Sequence, residues 1–145
     1  MKNKIIILIG ATIVLLIGFV ILRAPLRNTP SPAQNTGMEK PGFSALSSTE
    51  LASMLEKKDF FLVNVHIPQN EEIRGTDAFI AFDEIKENLA LLPQDKSEKI
   101  VLYCRSGSMS DIAAQELAGL GYTNVFSLSG GMNAWKESGR AVYPR

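Results

Sequence analysis

The chain of 145 residues has one cysteine, one histidine and no excess of charge of either sign. One cysteine cannot close an intramolecular disulfide, so the value of this residue lies in packing or in reactivity. So few thiols and imidazoles do not supply the clustered ligands of a metal site, and we expect neither a metal nor another cofactor. Because 15 basic residues balance 15 acidic ones, no net field attracts nucleic acid, and we expect no nucleic-acid partner.

A long apolar segment occupies the N-terminal region, where residues 5–22 contain no charged side chain. As a helix this segment reaches about 27 Å, close to the thickness of a bilayer core. We predict that residues 1–24 form a transmembrane signal anchor that contacts the membrane through residues 5–22. The alternatives are a cleaved signal peptide, which would have a shorter apolar region and an earlier cleavage site than Ser31-Pro-Ala33, and a buried soluble helix.

The orientation of this segment depends on a slight charge bias, with Lys2 and Lys4 on one side and Arg23 and Arg27 on the other. A short N-terminal tail followed by most of the chain is the usual arrangement of a signal anchor. We therefore predict a single-pass membrane protein whose domain lies on the extracytoplasmic side. Residues 25–42 are rich in Pro, Ser, Asn and Thr and are predicted to form a flexible linker to one folded domain at residues 43–145.

Strands and helices alternate along the predicted domain. Ser47 and Glu50 form a possible capping box for a first helix that runs to Lys57. Two nearly continuous apolar runs, at 60–65 and 99–103, are typical of central strands in a parallel sheet. The pattern predicts further elements in this order: a strand at 79–82, a helix at 83–92, a helix capped by Ser110 that runs to Leu120 with Ile112, Ala113, Leu117 and Leu120 inward, a strand at 124–128, and a short helix after Gly130-Gly131. This alternation indicates a three-layer α/β domain with a mostly parallel sheet.

The cysteine, Cys104, stands where a predicted strand ending at Tyr103 gives way to a helix, at the edge where parallel sheets place their ligands. The intervening segment has no β-branched residue, and its small members allow backbone N–H groups to turn toward one point, as in an anion-binding nest. The N-terminus of the following helix would stabilise the thiolate, which is the nucleophilic form of the side chain. A functional thiol is therefore favoured over a packing residue at this position.

The run Cys104-Arg-Ser-Gly-Ser-Met-Ser110 resembles the active-site loop of rhodanese domains. Further matches to the C-terminal half of that family follow in order: Ala113-Ala114, Leu117, Gly121-Tyr122, Asn124-Val125, Leu128, Gly130-Gly131 and Ala134-Trp135. The resemblance covers about residues 43–143. It implies an α/β, three-layer rhodanese-like domain with a five-stranded, mostly parallel sheet, here preceded by one transmembrane helix.

The resemblance implies sulfur transfer through a persulfide of Cys104, the catalytic residue. The sulfur would come from a small anionic donor such as thiosulfate or 3-mercaptopyruvate and go to a thiol or a cyanide-like acceptor. In that reading, Arg105 provides a cation near the mouth of the site. The implied substrate-binding residues, mainly through their amides, are Arg105, Ser106, Gly107, Ser108, Met109 and Ser110.

Several positions depart from related patterns. Phosphatases of this architecture need an arginine six positions after the cysteine, where this chain has Ser110, so a phosphatase or arsenate reductase is disfavoured. Many rhodaneses have arginine where Met109 stands, which weakens the case for thiosulfate as the donor. Asn64, His66 and Thr76 replace residues that commonly brace the loop. Two alternatives therefore stay open: a non-catalytic binding module, and a thiol redox or sulfur-carrier element that works with an exported partner protein.

Overall fold

Five parallel strands form the central sheet in the computed structural model, which describes residues 39–40 and 42–145. The strands along the chain are β1 (Glu39–Lys40), β2 (Phe43–Leu46), β3 (Phe61–Asn64), β4 (Glu71–Glu72), β5 (Ala78–Phe79), β6 (Ile100–Tyr103), β7 (Val125–Leu128) and β8 (Tyr143–Pro144). The sheet order is β1-β2-β7-β6-β3-β5, and only β1 is antiparallel to its neighbour. The five-stranded parallel sheet implied by the resemblance is thus confirmed.

Among the described residues, three α-helices and one 3₁₀ helix cover the two faces of this sheet. They are α1 (Ser48–Glu56), the 3₁₀ helix (Lys86–Leu91), α2 (Ser108–Gly119) and α3 (Gly131–Glu137). One apolar cluster contains Ala113 and Leu117 of α2, and a second contains Leu51 of α1 with Trp135 of α3. The sheet therefore lies between two helical layers, as predicted.

Two of the predicted elements follow directly from local chemistry. Every residue of β6 is buried, and β6 lies between β3 and β7, as a continuous apolar run predicts. The capping box of α1 is also confirmed, because Glu50 N donates to Ser47 Oγ at 3.3 Å and Ser47 N donates to Glu50 Oε2 at 2.9 Å.

Other predictions need correction. The helix predicted at 83–92 is a 3₁₀ helix over Lys86–Leu91, with Asn88 in a non-helical conformation. The strand predicted at 79–82 is Ala78–Phe79, and the two-residue strands β1, β4 and β8 were not predicted. Such short pairings depend on neighbouring strands and leave no period in the sequence.

The boundaries and the inward face of α2 also differ from the prediction. Gly107, with φ of +101°, is the N-cap residue, so the helix begins two residues before Ser110. The buried face of the helix runs through Ser110, Ala113, Ala114 and Leu117. Ile112 lies off this face and is 55 % exposed, while Ser110 lies in the buried first turn. Ser110 is therefore not the cap.

The predicted anchor, residues 1–24, lies outside the described residues, and the predicted linker, residues 25–42, overlaps them only at 39–40 and 42. Within the described part of the chain, every helix is too short or too polar to cross a bilayer.

Tyr103, the last residue of β6, ties the segment after β4 to the centre of the sheet. Its hydroxyl oxygen accepts from Ile73 N at 3.0 Å. The hydroxyl lies 2.6 Å from Thr76 Oγ1, whose own hydrogen is donated to the Ile73 carbonyl at 2.7 Å. Tyr103 must then donate to Thr76. Burial raises the pKa of the Tyr103 phenol, so the phenol keeps its hydrogen for this bond.

We predict that Tyr103→Phe lowers the free energy of unfolding by about 1 to 3 kcal/mol, because it leaves the buried Ile73 amide without an acceptor. Tyr122→Phe is the matched control. The Tyr122 hydroxyl donates to the Pro93 carbonyl at 3.2 Å in a half-buried contact. Its removal leaves no buried amide without an acceptor, so the loss should be under about 1 kcal/mol. Urea unfolding measures both, and equal losses would contradict the assignment.

Candidate functional site

Cys104 follows β6 directly and lies at the carboxyl end of the parallel sheet. Its side chain is 1 % exposed. Its Sγ accepts a hydrogen bond from Gly107 N at 3.1 Å, and Ser110 Oγ lies 3.8 Å away. The sulfur thus sits inside the turn that leads into α2, in contact with a backbone donor.

The turn presents further donors because it is also the first turn of α2. The Asp111 amide donates to the Gly107 carbonyl at 2.9 Å. The N–H groups of Ser108 to Ser110 precede that bond and belong to the turn that has no acceptor inside a helix. These amides carry the positive end of a 12-residue helix dipole. The arrangement favours a negative charge at the sulfur or just beyond it.

The six predicted substrate-binding residues take different positions around the sulfur. Gly107 and Ser110 are buried, Met109 is half-buried against the core, and Arg105, Ser106 and Ser108 are exposed. The described contacts to Sγ come from Gly107 and Ser110. Arg105 forms no ion pair within the described residues, because Glu71 pairs instead with Lys136 at 3.1 Å. Arg105 is therefore a solvent-exposed cation of the loop.

The N-terminus of α3 holds the turn in place. Met132 N donates to the Cys104 carbonyl at 2.9 Å, and Asn133 N donates to the Arg105 carbonyl at 3.0 Å. Gly131 permits this approach, because a Cβ at that position would overlap the Cys104 carbonyl oxygen and lie 2.8 Å from the Arg105 carbonyl carbon. With these two carbonyls directed at α3, the following amides are free to face the sulfur.

A chain of buried hydroxyl groups connects the sulfur to a carboxylate. Ser110 Oγ lies 2.9 Å from the Gly107 carbonyl oxygen and 2.9 Å from Ser127 Oγ. Ser127 Oγ in turn lies 2.7 Å from Asp111 Oδ1. Sequence reasoning missed Ser127 and Asp111, since no motif marks them. Their only signal is a serine on a buried strand, a position that needs a hydrogen-bond partner.

His66 lies next to this turn, two residues after the end of the neighbouring strand β3. The parallel register pairs Asn64 with Tyr103, and Val65 N donates to the Tyr103 carbonyl at 2.9 Å. Two residues further along each chain, this register places His66 beside Arg105. The His66 side chain is buried, and its Nδ1 atom has no hydrogen-bond partner within the described structure. Burial lowers the pKa of His66, the charge of Arg105 lowers it further, and Glu71 partly offsets both effects.

Asn64 replaces a charged bracing residue without loss of order at this edge. Its Oδ1 accepts from His66 N at 3.0 Å, and its Nδ2 donates to the Glu71 carbonyl at 2.9 Å. The side chain is fully buried with both polar atoms paired.

Two surface cavities, of about 290 and 460 Å³, lie elsewhere on the domain, and neither is lined by Cys104 or by its loop.

Known proteins with similar sequences contain the same kind of domain. The family model of the rhodanese-like domain matches residues 47–138. Thiosulfate sulfurtransferase GlpE of Shewanella oneidensis is 34 % identical over 98 residues, which cover 66 % of this chain and 95 % of that protein. Adenylyltransferase and sulfurtransferase UBA4 of Candida albicans is 32 % identical over 82 residues, 55 % of this chain, which spans only 18 % of that longer protein.

The solved structures agree with the fold. A thiosulfate sulfurtransferase from Pseudomonas aeruginosa superposes with a TM-score of 0.61 at 21 % identity, over 68 % of this chain and 20 % of that one. This likeness concerns the arrangement of the sheet and helices.

We predict that Gly131→Ala destabilises the protein by about 2 to 4 kcal/mol, because the new methyl group displaces the Cys104 and Arg105 carbonyls and the residue has a positive φ of 55°. Gly119→Ala is the control. Gly119 ends α2, and a Cβ added there would meet no atom within 4 Å, so alanine should stabilise by up to about 1 kcal/mol. Urea unfolding compares them, and a neutral Gly131→Ala would refute the close approach.

His66 gives the protein a specific dependence on pH. Its pKa in the folded state lies below the value of about 6.5 expected in the unfolded chain. Unfolded protein therefore binds more protons between these two values, and stability falls as the pH drops from about 6.5 through the folded-state pKa. His66→Gln removes the only imidazole and should reduce this fall in urea midpoints measured from pH 7.5 to 5. Parallel curves for the two proteins would contradict the prediction.

Proposed function

The chain belongs to the rhodanese-like domain family, and from that premise we propose that it transfers sulfane sulfur through a persulfide on Cys104. One observation carries the proposal: Cys104 Sγ accepts from Gly107 N at 3.1 Å at the start of α2. We infer that a sulfur attached to Sγ would lie near the Gly107 amide and the unpaired N–H groups of the first turn of α2. Relatives named thiosulfate sulfurtransferase support this activity at the level of the family.

The reaction has two steps. The Cys104 thiolate attacks the outer sulfur of a donor such as thiosulfate, a new S–S bond forms, and sulfite leaves with the electron pair of the broken bond. A thiolate or cyanide acceptor then attacks the outer sulfur of Cys–S–S⁻, and Cys104 leaves as the thiolate. The loop amides stabilise the negative outer sulfur between the steps, in the way that oxyanion holes stabilise developing charge.

The donor is a small anion that reaches the site past Arg105. This residue is the one cation in the run from Cys104 to Ser110, and it is exposed at the mouth. Met109 contributes packing against the core rather than charge. A loop with one arginine compensates less negative charge than a loop with two. It therefore favours a donor with less negative charge than thiosulfate, such as 3-mercaptopyruvate.

The proposed location rests on the sequence alone. We propose that residues 1–24 anchor the chain in the membrane as a single pass, that residues 25–42 act as a flexible linker, and that the domain lies outside the cytoplasm. There the acceptor can be a thiol of an exported protein, because the chain has no second cysteine of its own to discharge Cys104.

We predict that incubation of the full chain with thiosulfate or 3-mercaptopyruvate adds one sulfur atom to its intact mass. A reductant should remove the added atom, because a persulfide is reducible. Cys104→Ser should show no gain, while Ser106→Ala, on an exposed loop residue outside the described sulfur contacts, should load like the natural chain. No gain with any donor, or a gain that survives in Cys104→Ser, would overturn the proposal.

The orientation needs an accessible reporter, since Cys104 is only 1 % exposed. In a Cys104→Ser background, Lys57→Cys introduces a thiol at an exposed residue just after α1. We expect a membrane-impermeant maleimide to label this variant on intact cells, and the cysteine-free Cys104→Ser chain serves as the blank. Labelling only after lysis would place the domain in the cytoplasm.

A further inference from the structure

The hydroxyl chain beside Cys104 contains one hydrogen bond whose direction is fixed. Ser127 has a single hydroxyl hydrogen, and a carboxylate oxygen accepts but does not donate, so Ser127 donates to Asp111 Oδ1 at 2.7 Å. With that hydrogen on Asp111, Ser110 is the group that still has a hydrogen to donate across its 2.9 Å contact with Ser127. Ser110 therefore has three acceptors for one hydrogen: Ser127 Oγ, the Gly107 carbonyl at 2.9 Å and Cys104 Sγ at 3.8 Å.

We propose that Asp111 is a positioning residue that acts through Ser127 to draw the Ser110 hydrogen away from Cys104, so that the sulfur stays a strong nucleophile. By fixing the Ser127 hydrogen, Asp111 leaves Ser127 as an acceptor that competes with the sulfur for the Ser110 hydrogen. The carboxylate also adds a negative charge on the same helix turn. Both effects make the thiolate less stabilised than the loop amides alone would make it.

The hydroxyl groups that link Asp111 to Cys104 are buried away from water. Ser110 and Ser127 are 0 % and 1 % exposed, so neither hydroxyl exchanges its partner for water. Asp111 is half-buried and lies on the solvent side of the chain. A hydrogen bond in such surroundings is electrostatically stronger than one in water, and linked hydroxyls polarise one another.

The other charged residues near the sulfur are still present when Asp111 or Ser127 is substituted. Arg105 follows Cys104 directly, His66 lies two residues after the end of the neighbouring strand β3, and Glu71 of β4 acts on His66. Asp111 is the acidic side chain that α2 directs to this network. A variant of Asp111 therefore removes one negative charge and the acceptor of the Ser127 hydroxyl.

The proposal gives a signature in the pH dependence of thiol reactivity. Asp111→Asn removes the charge and lets the amide donate to Ser127. Ser127 can then donate to Ser110, and the Ser110 hydrogen is shared between two remaining acceptors, the Gly107 carbonyl and the thiolate. A more stabilised thiolate is more abundant at low pH but intrinsically less nucleophilic, with a Brønsted coefficient of about 0.4 to 0.5. For a tenfold gain in thiolate stability, iodoacetamide should react about threefold faster below the midpoint and about threefold slower on the high-pH plateau.

The experiment measures iodoacetamide alkylation of Cys104 in the full chain from pH 5 to 10. Asp111→Asn should give a profile that crosses that of the natural chain. Ser127→Ala should shift the midpoint in the same direction, and the double variant should shift little further, because both changes break one path. Ser127→Thr keeps the hydroxyl and should restore the natural profile. Glu116→Gln, which removes a carboxylate of α2 that pairs with Lys86, is the matched control and should leave the profile unchanged.

Each other outcome overturns the proposal. A uniform increase in rate at all pH values would mean that the variants merely open the loop. A pH midpoint of alkylation that moves upward in Asp111→Asn would mean that Asp111 stabilises the thiolate, the opposite of the proposal. If the shifts of the two single variants added up in the double variant, Asp111 and Ser127 would act by separate paths. An effect of Asp111 on the rate of sulfur transfer rests on the proposed function. The alkylation experiment does not, because iodoacetamide reacts with Cys104 without a sulfur donor. Crossing profiles without persulfide formation would therefore support the inference while they count against the function.

Discussion

Two backbone hydrogen bonds from α3 to the carbonyls of Cys104 and Arg105 are the constraint on which the site depends. A turn with several inward amides needs its carbonyls satisfied elsewhere, because an unpaired buried carbonyl costs about as much as a lost hydrogen bond. α3 provides those donors from its own first turn, where N–H groups have no partner within the helix. The two helix N-termini thus serve complementary roles: α3 orders the loop, and the N-cap residue of α2, Gly107, presents its amide to the sulfur.

The same edge of the sheet tolerates the loss of charged braces because neutral hydrogen bonds replace them. Asn64 pairs with His66 N and the Glu71 carbonyl, and Thr76 joins Tyr103 to Ile73. Neutral partners avoid the desolvation penalty of buried charge and keep their geometry over a wide pH range. His66 is the exception, since an imidazole with an unpaired buried nitrogen links this edge to pH.

The sequence allowed the main elements and the position of Cys104 to be predicted, because both have local signals. β6 is a continuous apolar run, and the capping box of α1 is a four-residue pattern. The remaining features arise from contacts between distant segments. The helix predicted to start at Ser110 starts at Ser108, since Gly107 adopts a positive φ that no periodicity reveals. The link from Asp111 to Ser127 joins residues 16 apart, and the closure of α3 on the loop joins α3 to the residues after β6.

The central claim is that the loop is built to hold a negatively charged second sulfur on Cys104. The most direct test is a structure determined after reaction with a sulfur donor. We expect extra density on Sγ, with the outer sulfur within hydrogen-bonding distance of two or more amides between Arg105 and Ser110 and with the bonds from Met132 and Asn133 unchanged. An outer sulfur directed away from these amides, or a donor-treated protein with an unmodified Sγ, would contradict the claim.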